Sequence, residues 1–174
     1  MITKSIIASC DQKRCIGKDS DLLFRDRDSL ERFKNLTIGC PVIMGRQTHE
    51  SISKIFLDCT SVIVTQNRDY VPFSTLSYIV ESLTTAVSIA EDIAVHDGFD
   101  EIYFVGDKQV YSQALSLCSR MYISEFKNDL DEDMFFPEFE KNQWKEVVMF
   151  PYETHIFRLL EKISEEQSHQ GKNK

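Results

Sequence analysis

The chain lacks the features of a membrane-spanning, disulfide-bonded or zinc-binding protein. No apolar run approaches the ~18 residues that a membrane span needs. Its five cysteines are odd in number and form no Cys-x-x-Cys pair or Cys/His cluster, so neither a disulfide framework nor a metal site is expected. The first ten residues have no signal-peptide cleavage site. We therefore expect a cytoplasmic protein without a bound metal.

Positive charge is also in short supply, with 20 Lys and Arg against 28 Asp and Glu and a net charge of −8. Repulsion from phosphates argues against a nucleic-acid partner, although local donors can still hold a small anionic cofactor. The chain has no internal repeat and no Pro/Gly/Ser-rich linker. We expect one domain over residues 1–163, a polar, disordered tail over residues 164–174, and a monomer that binds small molecules rather than a membrane.

Strands and helices alternate along the chain. Apolar, β-branched runs predict strands at residues 2–9, 41–45, 61–66, 101–106, 119–126, 144–150 and 154–162. Helices are predicted at residues 26–36, from residue 46, and at residues 82–96 and 108–117. The alternation implies parallel pairing, and the short turn at residues 151–153 implies an antiparallel hairpin. The predicted class is α/β, with a mixed, mostly parallel central sheet flanked by helices and an antiparallel C-terminal hairpin.

The first helix carries Leu30, Phe33 and Leu36 at a spacing of three, which defines one apolar face. Asp26 or Asp28 is the candidate capping residue.

The segment PVIMGRQTHESI, residues 41–52, carries the most specific signal. A strand ends in Gly45, and a helix starts at once with Arg46. Free N–H groups at a helix start attract phosphate, and an arginine adds a bidentate contact. A plain strand-to-helix turn with a surface arginine explains the segment equally well on physical grounds. EIYFVGDKQVY, residues 101–111, repeats the design around Gly106 with weaker evidence.

Together these segments resemble the dihydrofolate reductase family over nearly the whole chain, up to about residue 162. The resemblance rests on Ile16-Gly17, Leu30-x-x-Phe33-Lys34, PVIMGR-x-T-x-ESI, Val105-Gly106 with Val110-Tyr111, Met121-Tyr122-Ile123-Ser124, and Phe135-Phe136-Pro137 followed by Trp144. It implies a dihydrofolate-reductase-like fold that transfers a hydride from NADPH to the pterin ring of dihydrofolate, giving tetrahydrofolate. In such chemistry the protein supplies positioning and electrostatics.

The resemblance also assigns site residues to two ligands. The implied cofactor residues are Gly45, Arg46, Gln47 and Thr48 at the phosphates, Thr65 and Gln66 at the adenosine end, Gly106, Gln109, Val110 and Gln113 along the pyrophosphate and nicotinamide side, and Ala8, Ile16 and Gly17 at the nicotinamide. The implied pterin pocket consists of Ile7, Leu30, Phe33, Ile52, Val105, Tyr111 and Ser124.

The catalytic acid of the family is missing. Where the family has Asp or Glu immediately before Leu30, this chain has Ser29. A hydroxyl cannot supply the charge-assisted hydrogen bond, worth ~1.5–3 kcal/mol, or raise the basicity of the substrate. Asp28 is the nearest carboxylate, but neighbours on a helix point ~100° apart, so helix capping is its expected role unless the first turn is distorted.

Three further departures surround the same cleft. Cys59 stands where the family has the arginine that grips the glutamate tail of folate, and Lys54 is a partial substitute. Asp107 replaces the second glycine of a Gly-Gly pair and adds negative charge near the pyrophosphate, with Lys108 available to offset it. In the loop at residues 19–27, Leu23-Phe24 replaces Pro-Trp, and Leu22 takes the place of an apolar residue of the mobile loop.

Three hypotheses follow. The first is a divergent but working dihydrofolate reductase with slow turnover, favoured by PVIMGRQT. The second is a non-catalytic module with the same fold, favoured by Ser29, Cys59 and Asp107. The third is a reductase of the same fold that acts on another pterin or pyrimidine substrate. The absence of the arginine suits a substrate without a glutamate tail.

Overall fold

The computed structural model describes residues 1–17, 26–52, 58–131 and 134–164. Within these ranges the chain forms eight strands, four α-helices and one short 3-10 helix. In chain order they are β1 (Thr3–Asp11), α1 (Arg27–Thr37), β2 (Pro41–Gly45), α2 (Arg46–Ile52), β3 (Thr60–Val64), β4 (Ser77–Val80), α3 (Leu83–Asp97), β5 (Glu101–Phe104), α4 (Lys108–Ala114), β6 (Arg120–Phe126), the 3-10 helix (Lys141–Gln143), β7 (Trp144–Pro151) and β8 (His155–Lys162).

The strands form one sheet in the order β4-β3-β2-β5-β1-β6-β8-β7. Every pair from β4 to β6 is parallel, whereas β8 is antiparallel to both β6 and β7. The predicted class is therefore confirmed. Because parallel strands share a carboxyl edge, the turns after β1, β2, β3 and β5 lie along one side of the sheet, where ligands of such sheets bind.

The predicted elements agree with the observed ones to within a few residues, with one omission. The edge strand β4 was not predicted. The predicted strand at residues 101–106 ends at Phe104, and the predicted helix at residues 108–117 ends at Ala114. The predicted tail lies outside the described residues beyond Ser164, as do Leu22, Leu23, Phe24 and Lys54.

Helix α1 begins where Asp26 caps it, since the Asp26 carboxylate accepts a hydrogen bond from the Ser29 N–H at 3.0 Å. The buried residues of α1 are Ser29, Phe33 and Thr37, spaced four apart. Leu30 and Leu36, expected on the buried face, are only half-buried because the face is centred on Phe33. This phase turns Ser29 into the protein and leaves Asp28 exposed.

The helices cover both faces of the sheet. On one face, Phe33 of α1 and Ile52 of α2 pack against strand residues such as Ile7 and Val42. On the other, α3 packs through Ala86, Ala90 and Ala94, and α4 packs through Val110, Tyr111 and Ala114. The small side chains of α3 let that helix approach the sheet closely.

All five cysteines lie in the described residues, are buried and form no disulfide. Burial raises the pKa of the Cys10 and Cys118 thiols to about 12 and that of Cys40 and Cys59 to about 11. In the described ranges we find no group of three or more His, Cys, Asp or Glu side chains suited to a metal ion. No helix there combines the length and apolar character needed to cross a membrane.

Candidate functional site

A cleft of about 430 Å³ opens where β2, β3 and β4 end and α4 begins. We call it the strand-end cleft, and its lining residues are Gly45, Arg46, Gln47, Val64, Thr65, Gln66, Glu81, Ser82, Leu83, Thr84, Asp107, Gln109, Val110 and Gln113. Most of the residues that the sequence assigned to a nucleotide cofactor are among them. The structure thus brings together side chains from the separate segments around residues 45, 65 and 110.

Two glycines shape this cleft. A Cβ atom at Gly106 would lie 2.7 Å from Val110 Cβ, which is closer than such atoms approach in proteins, so no side chain fits there. Across the cleft, a Cβ at Gly45 would meet Asp107 Oδ2 and Val110 Cγ2 at 3.8 Å, an ordinary contact. The start of α4 therefore lies close against the backbone at the end of β5.

Thr48 on α2 follows Gln47 of the cleft lining, but it is itself fully buried and is not part of that lining. Its hydroxyl has no hydrogen-bond partner among the described residues. A buried hydroxyl without a partner costs free energy, so such groups in native proteins point to a missing ligand, ion or water.

The charges of the strand-end cleft are mixed. Arg46 Nη1 donates to Glu50 Oε1 at 2.7 Å, so its guanidinium is held along α2. Glu81 and Asp107 contribute two carboxylates to the lining. Lys108, expected to offset Asp107, is exposed and is not part of that lining.

Asp107 is the N-cap residue of α4. Its Oδ1 atom accepts hydrogen bonds from the N–H groups of Gln109 at 2.9 Å and Val110 at 3.1 Å. Aspartate is among the best N-cap residues because its carboxylate satisfies the free N–H groups of a helix start. An anion approaching these N–H groups would compete with this carboxylate.

The remaining predicted cofactor residues lie apart from the strand-end cleft. Ala8 is buried in β1. The N–H of Ile16 donates to the Met134 carbonyl at 2.8 Å. Gly17 has φ +70°, a conformation that favours glycine, and is the last residue described before the gap.

A second, much smaller cavity of about 10 Å³, near the minimum for one water, lies beside Ser29. This Ser29 cavity is lined by Ile7, Ser9, Ser29, Arg32, Phe33, Leu36, Tyr122, Ser124 and Phe157. Of the predicted pterin residues, Ile7, Phe33 and Ser124 line it, and Ile52 and Val105 belong to the adjoining apolar cluster. Leu30 is half-buried outside the lining, and Tyr111 packs on the other face of the sheet.

Tyr111 still touches the strand that carries the Ser29 cavity. Its hydroxyl donates to the Ile7 carbonyl at 2.9 Å, and its ring packs against Phe136 with centroids 5.1 Å apart. This contact holds the backbone of β1 from the face of the sheet on which Tyr111 packs. Cys59, predicted beside the substrate, is buried in the apolar cluster with Ile52.

Ser29 contacts a buried histidine that the sequence did not single out. Ser29 Oγ lies 3.4 Å from His155 Nε2, and the Arg32 Nη2 atom lies 3.3 Å from the same nitrogen. Arginine can only donate, so Nε2 accepts and the ring proton resides on Nδ1. Nδ1 then donates to Thr154 Oγ1 at 3.0 Å, and Thr154 Oγ1 donates to Asp26 Oδ1 at 2.9 Å.

This network fixes the direction of the Ser29 hydroxyl. Because Nε2 accepts, a hydrogen bond between the two groups has Ser29 as the donor, which shares the Nε2 lone pair with Arg32 and leaves the serine lone pairs as acceptors for the cavity. Burial, with the positive charge of Arg32, lowers the pKa of His155 and keeps the ring neutral at pH 7. Partial burial of Asp26 would raise its pKa, but hydrogen bonds from Ser29 and Thr154 outweigh burial, and the pKa is lowered.

Arg32 is the second feature that sequence reasoning missed. Its Nη1 atom donates to Ser124 Oγ at 3.0 Å, and its guanidinium lies between the rings of Tyr152 (4.7 Å) and Phe157 (4.1 Å). The spacing of Ser29, Arg32 and Phe33 on one helix face was available in the sequence. The position of His155 was not, because it depends on pairing with Phe126 in the sheet.

Comparisons with known proteins agree with this architecture. A family model described as dihydrofolate reductase matches residues 3–155. The dihydrofolate reductase of Staphylococcus haemolyticus is 31% identical over 143 residues, covering 82% of this chain and 81% of the relative. That of Bacillus subtilis is 30% identical over 141 residues, covering 81% and 79%.

A solved structure of dihydrofolate reductase from Enterococcus faecalis, complexed with NADP(H) and RAB-propyl, superposes with a TM-score of 0.76 at 22% identity. The match covers 93% of this chain and 97% of that one, and it supports the fold. The family model spans most of the chain, and the two bacterial relatives match over four fifths of it. The chain therefore belongs to the dihydrofolate reductase family.

Proposed function

We propose that this protein is an NADPH-dependent dihydrofolate reductase that produces tetrahydrofolate, with NADPH in the strand-end cleft and the pterin ring beside Ser29. The observation that carries the proposal is the strand-end cleft itself. Segments around residues 45, 65 and 110 converge on one space of about 430 Å³. That space lies at the carboxyl edge of the sheet, where nucleotides bind in α/β folds.

The residues of the cleft fit an extended nucleotide. The Thr48 hydroxyl, buried and without a partner in the described residues, would bond a phosphate or ribose oxygen, as the resemblance implies. Gly45 to Thr48 would hold the phosphates, Thr65 and Gln66 the adenosine end, and Gly106 with Gln109, Val110 and Gln113 the far side. Bound NADPH supplies the hydride that reduces the imine of the pterin.

At the nicotinamide end, the resemblance assigns Ala8, Ile16 and Gly17 to the cofactor. Residues 18–25, which come next in the chain, lie outside the described residues. In the pterin pocket, Ile7, Phe33 and Ser124 line the cavity, with Ile52 and Val105 behind them. Leu30 and Tyr111 complete the set as supporting residues.

Ser29 would orient the pterin by accepting hydrogen bonds from a ring N–H or amino group. His155, held by Thr154 and Asp26, keeps the serine lone pairs directed into the cavity. The described lining of this cavity contains no carboxylate, and Asp28 is exposed. The proton for the imine would therefore come from water, and we expect slow turnover whose rate falls as pH rises and protonated substrate becomes scarcer.

The Asp107 cap favours one alternative, a non-catalytic binding module. Its carboxylate already occupies the N–H groups at the start of α4, and Glu81 adds a second negative charge to the cleft. Both would weaken the binding of an anionic nucleotide. A reductase of the same fold acting on another pterin or a pyrimidine is the other alternative.

The decisive assay follows NADPH absorbance with dihydrofolate and the full chain, with tetrahydrofolate identified by chromatography. One tetrahydrofolate per NADPH consumed would establish the reductase. Binding of NADPH, seen by fluorescence, without consumption would point to another substrate or to a binding module. Absence of both would refute the proposal.

A variant links the assay to the cleft. Thr48→Val removes the buried hydroxyl while keeping the shape of the side chain, and a hydroxyl without a protein partner adds nothing to stability. We expect NADPH affinity to fall by roughly fivefold to tenfold, one lost hydrogen bond, with Tm unchanged or raised. Ser77→Ala is the matched control, because Ser77 on β4 carries another hydroxyl without a partner among the described residues and lies outside the segment 45–48 that the proposal assigns to the phosphates.

We further propose that the protein works as a monomer in the cytosol and supplies tetrahydrofolate to one-carbon metabolism. The buried, unbridged cysteines support a reducing compartment.

A further inference from the structure

The Ser29 cavity has a charge of unexpected sign. Among the described residues that line it, Arg32 is the only charged one. Asp26 bonds to the Ser29 N–H and Thr154 and does not line the cavity, while Asp28 is exposed. A ligand entering this cavity therefore meets a guanidinium and hydroxyl groups instead of a carboxylate.

The guanidinium of Arg32 is fixed in place. It donates to Ser124 Oγ at 3.0 Å and to His155 Nε2 at 3.3 Å. The rings of Tyr152 and Phe157 lie within 4.7 and 4.1 Å of its central carbon. Arginine carries its positive charge on a planar guanidinium, and stacked rings with two hydrogen bonds hold its orientation. The positive charge is thus held in place at the polar end of the cavity.

The donors and acceptors of the cavity are matched to a particular kind of ring. Arg32 offers only donors, so a ring carbonyl or an unprotonated ring nitrogen is its natural partner. The Ser9 hydroxyl, buried and without a partner among the described residues, and the lone pairs of Ser29 offer neutral acceptors to a ring amino group. A protonated ring nitrogen would bring a second positive charge close to the guanidinium.

We propose that Arg32 determines which rings this pocket accepts: it favours neutral or anionic 2-amino-4-oxo pteridines and disfavours 2,4-diamino rings, which become cations when their ring nitrogen is protonated. This inference rests on the proposed function, since it takes the Ser29 cavity, which at about 10 Å³ has room only for a polar group at the edge of a ring, as the polar end of the pterin pocket. A pocket with a carboxylate at this place would have the opposite preference, because it gains a charge pair with the diamino cation.

Folic acid and aminopterin form a matched pair of probes, since they differ only in the 4-oxo and 4-amino groups. We would measure their affinities for the full chain by calorimetry at pH 7, with saturating NADPH and without it. We expect aminopterin to bind no more than about threefold more tightly than folic acid. For Arg32→Gln we expect aminopterin to gain about tenfold, the size of one removed like-charge contact, and folic acid to change by less than about threefold. Arg32→Lys keeps the charge and should keep the preference of the parent chain.

The outcomes separate the inference from the proposed function. If folic acid binds but aminopterin binds more than about thirtyfold more tightly, the inference is overturned and the folate pocket stands. If Arg32→Gln weakens both probes equally at unchanged Tm, Arg32 supports the pocket without choosing the ring, and the inference also fails. If neither probe binds the parent chain, the proposed function fails with it. Should Arg32→Gln not fold, the Arg32→Lys variant and the parent affinities still decide.

Discussion

Ser29→Asp restores the residue type that the family places beside the pterin, so it tests whether the missing charge limits turnover. A charge-assisted hydrogen bond contributes ~1.5–3 kcal/mol, against ~0.5–1.5 kcal/mol for a neutral one. The difference, ~1–1.5 kcal/mol, corresponds to roughly a tenfold rise in kcat/KM. Because the new carboxylate also raises the basicity of the bound ring, the rise should appear in kcat as well as in KM.

The positive charge of Arg32 should reduce this gain in kcat/KM. Ser29 Oγ and Arg32 Nη2 share His155 Nε2 as a neighbour at 3.4 and 3.3 Å, so the two groups lie within about 7 Å. At that separation the guanidinium would attract a carboxylate by ~2 kcal/mol for an effective dielectric constant near 20. The pairing stabilises the buried charge but reduces its effect on the substrate. We therefore expect the Ser29→Asp, Arg32→Gln double variant to gain roughly a further tenfold in kcat/KM. It should also lose stability, because the buried carboxylate loses the guanidinium and keeps only His155 beside it.

The assay is steady-state NADPH oxidation with dihydrofolate at pH 7, with urea unfolding run on the same samples. Ser29→Asn is the control, because asparagine has nearly the shape of aspartate without its charge. Equal rates for the Asp and Asn variants would refute the reasoning, as would a lower rate for Ser29→Asp in a protein of unchanged stability.

Three further predictions concern the cleft and the histidine. Asp107→Asn keeps a good N-cap but removes a negative charge from the strand-end cleft. NADPH affinity measured by fluorescence should therefore rise about fivefold, or ~1 kcal/mol, with Tm nearly unchanged. An unchanged affinity would place the nucleotide phosphates elsewhere. Gly106→Ala puts a Cβ 2.7 Å from Val110 Cβ. The free energy of unfolding measured in urea should therefore fall by about 1–3 kcal/mol, and NADPH should bind more weakly. A variant with the stability and NADPH affinity of the parent chain would contradict this packing. The folded-state pKa of His155 is lowered, so the unfolded chain binds more protons and stability should fall as pH drops below about 6.5, the usual histidine value. His155→Gln should make that decline shallower, and an identical pH dependence in both proteins would show that His155 does not cause it.

The sequence predicted the fold well because its signals are local. The cap at Asp26, the strand 41–45 running into a helix at Arg46, and the apolar face of α1 each depend on residues within a few positions of one another. The four-residue edge strand β4 was missed, since half of its side chains are exposed and its run is short. Long-range parallel pairing was predicted from alternation alone, which determines the class but not the register.

The candidate site was predictable in part for the same reason. Motif positions such as Gly45 and Gln109 reach one cleft because the family fold brings the ends of the strands together. The network around Ser29 was not predictable, because His155 lies 126 positions away and meets Ser29 only through the β6–β8 register. The cap made by Asp107 shows another limit: the sequence indicated a negative charge near a phosphate site but not that the side chain bonds to the helix start.

Four of the five buried thiols can report the opening motions of the folded chain. Thiolates, not thiols, react with alkylating reagents, and Cys10, Cys40, Cys59 and Cys118 have pKa values raised well above neutrality by burial. At neutral pH, each of these cysteines therefore reacts only when the segment that buries it opens. Because these cysteines lie at the central strand, at the starts of β2 and β3 and just before β6, mass spectrometry of pulse-alkylated samples would rank the opening frequencies of four parts of the sheet without any engineered label.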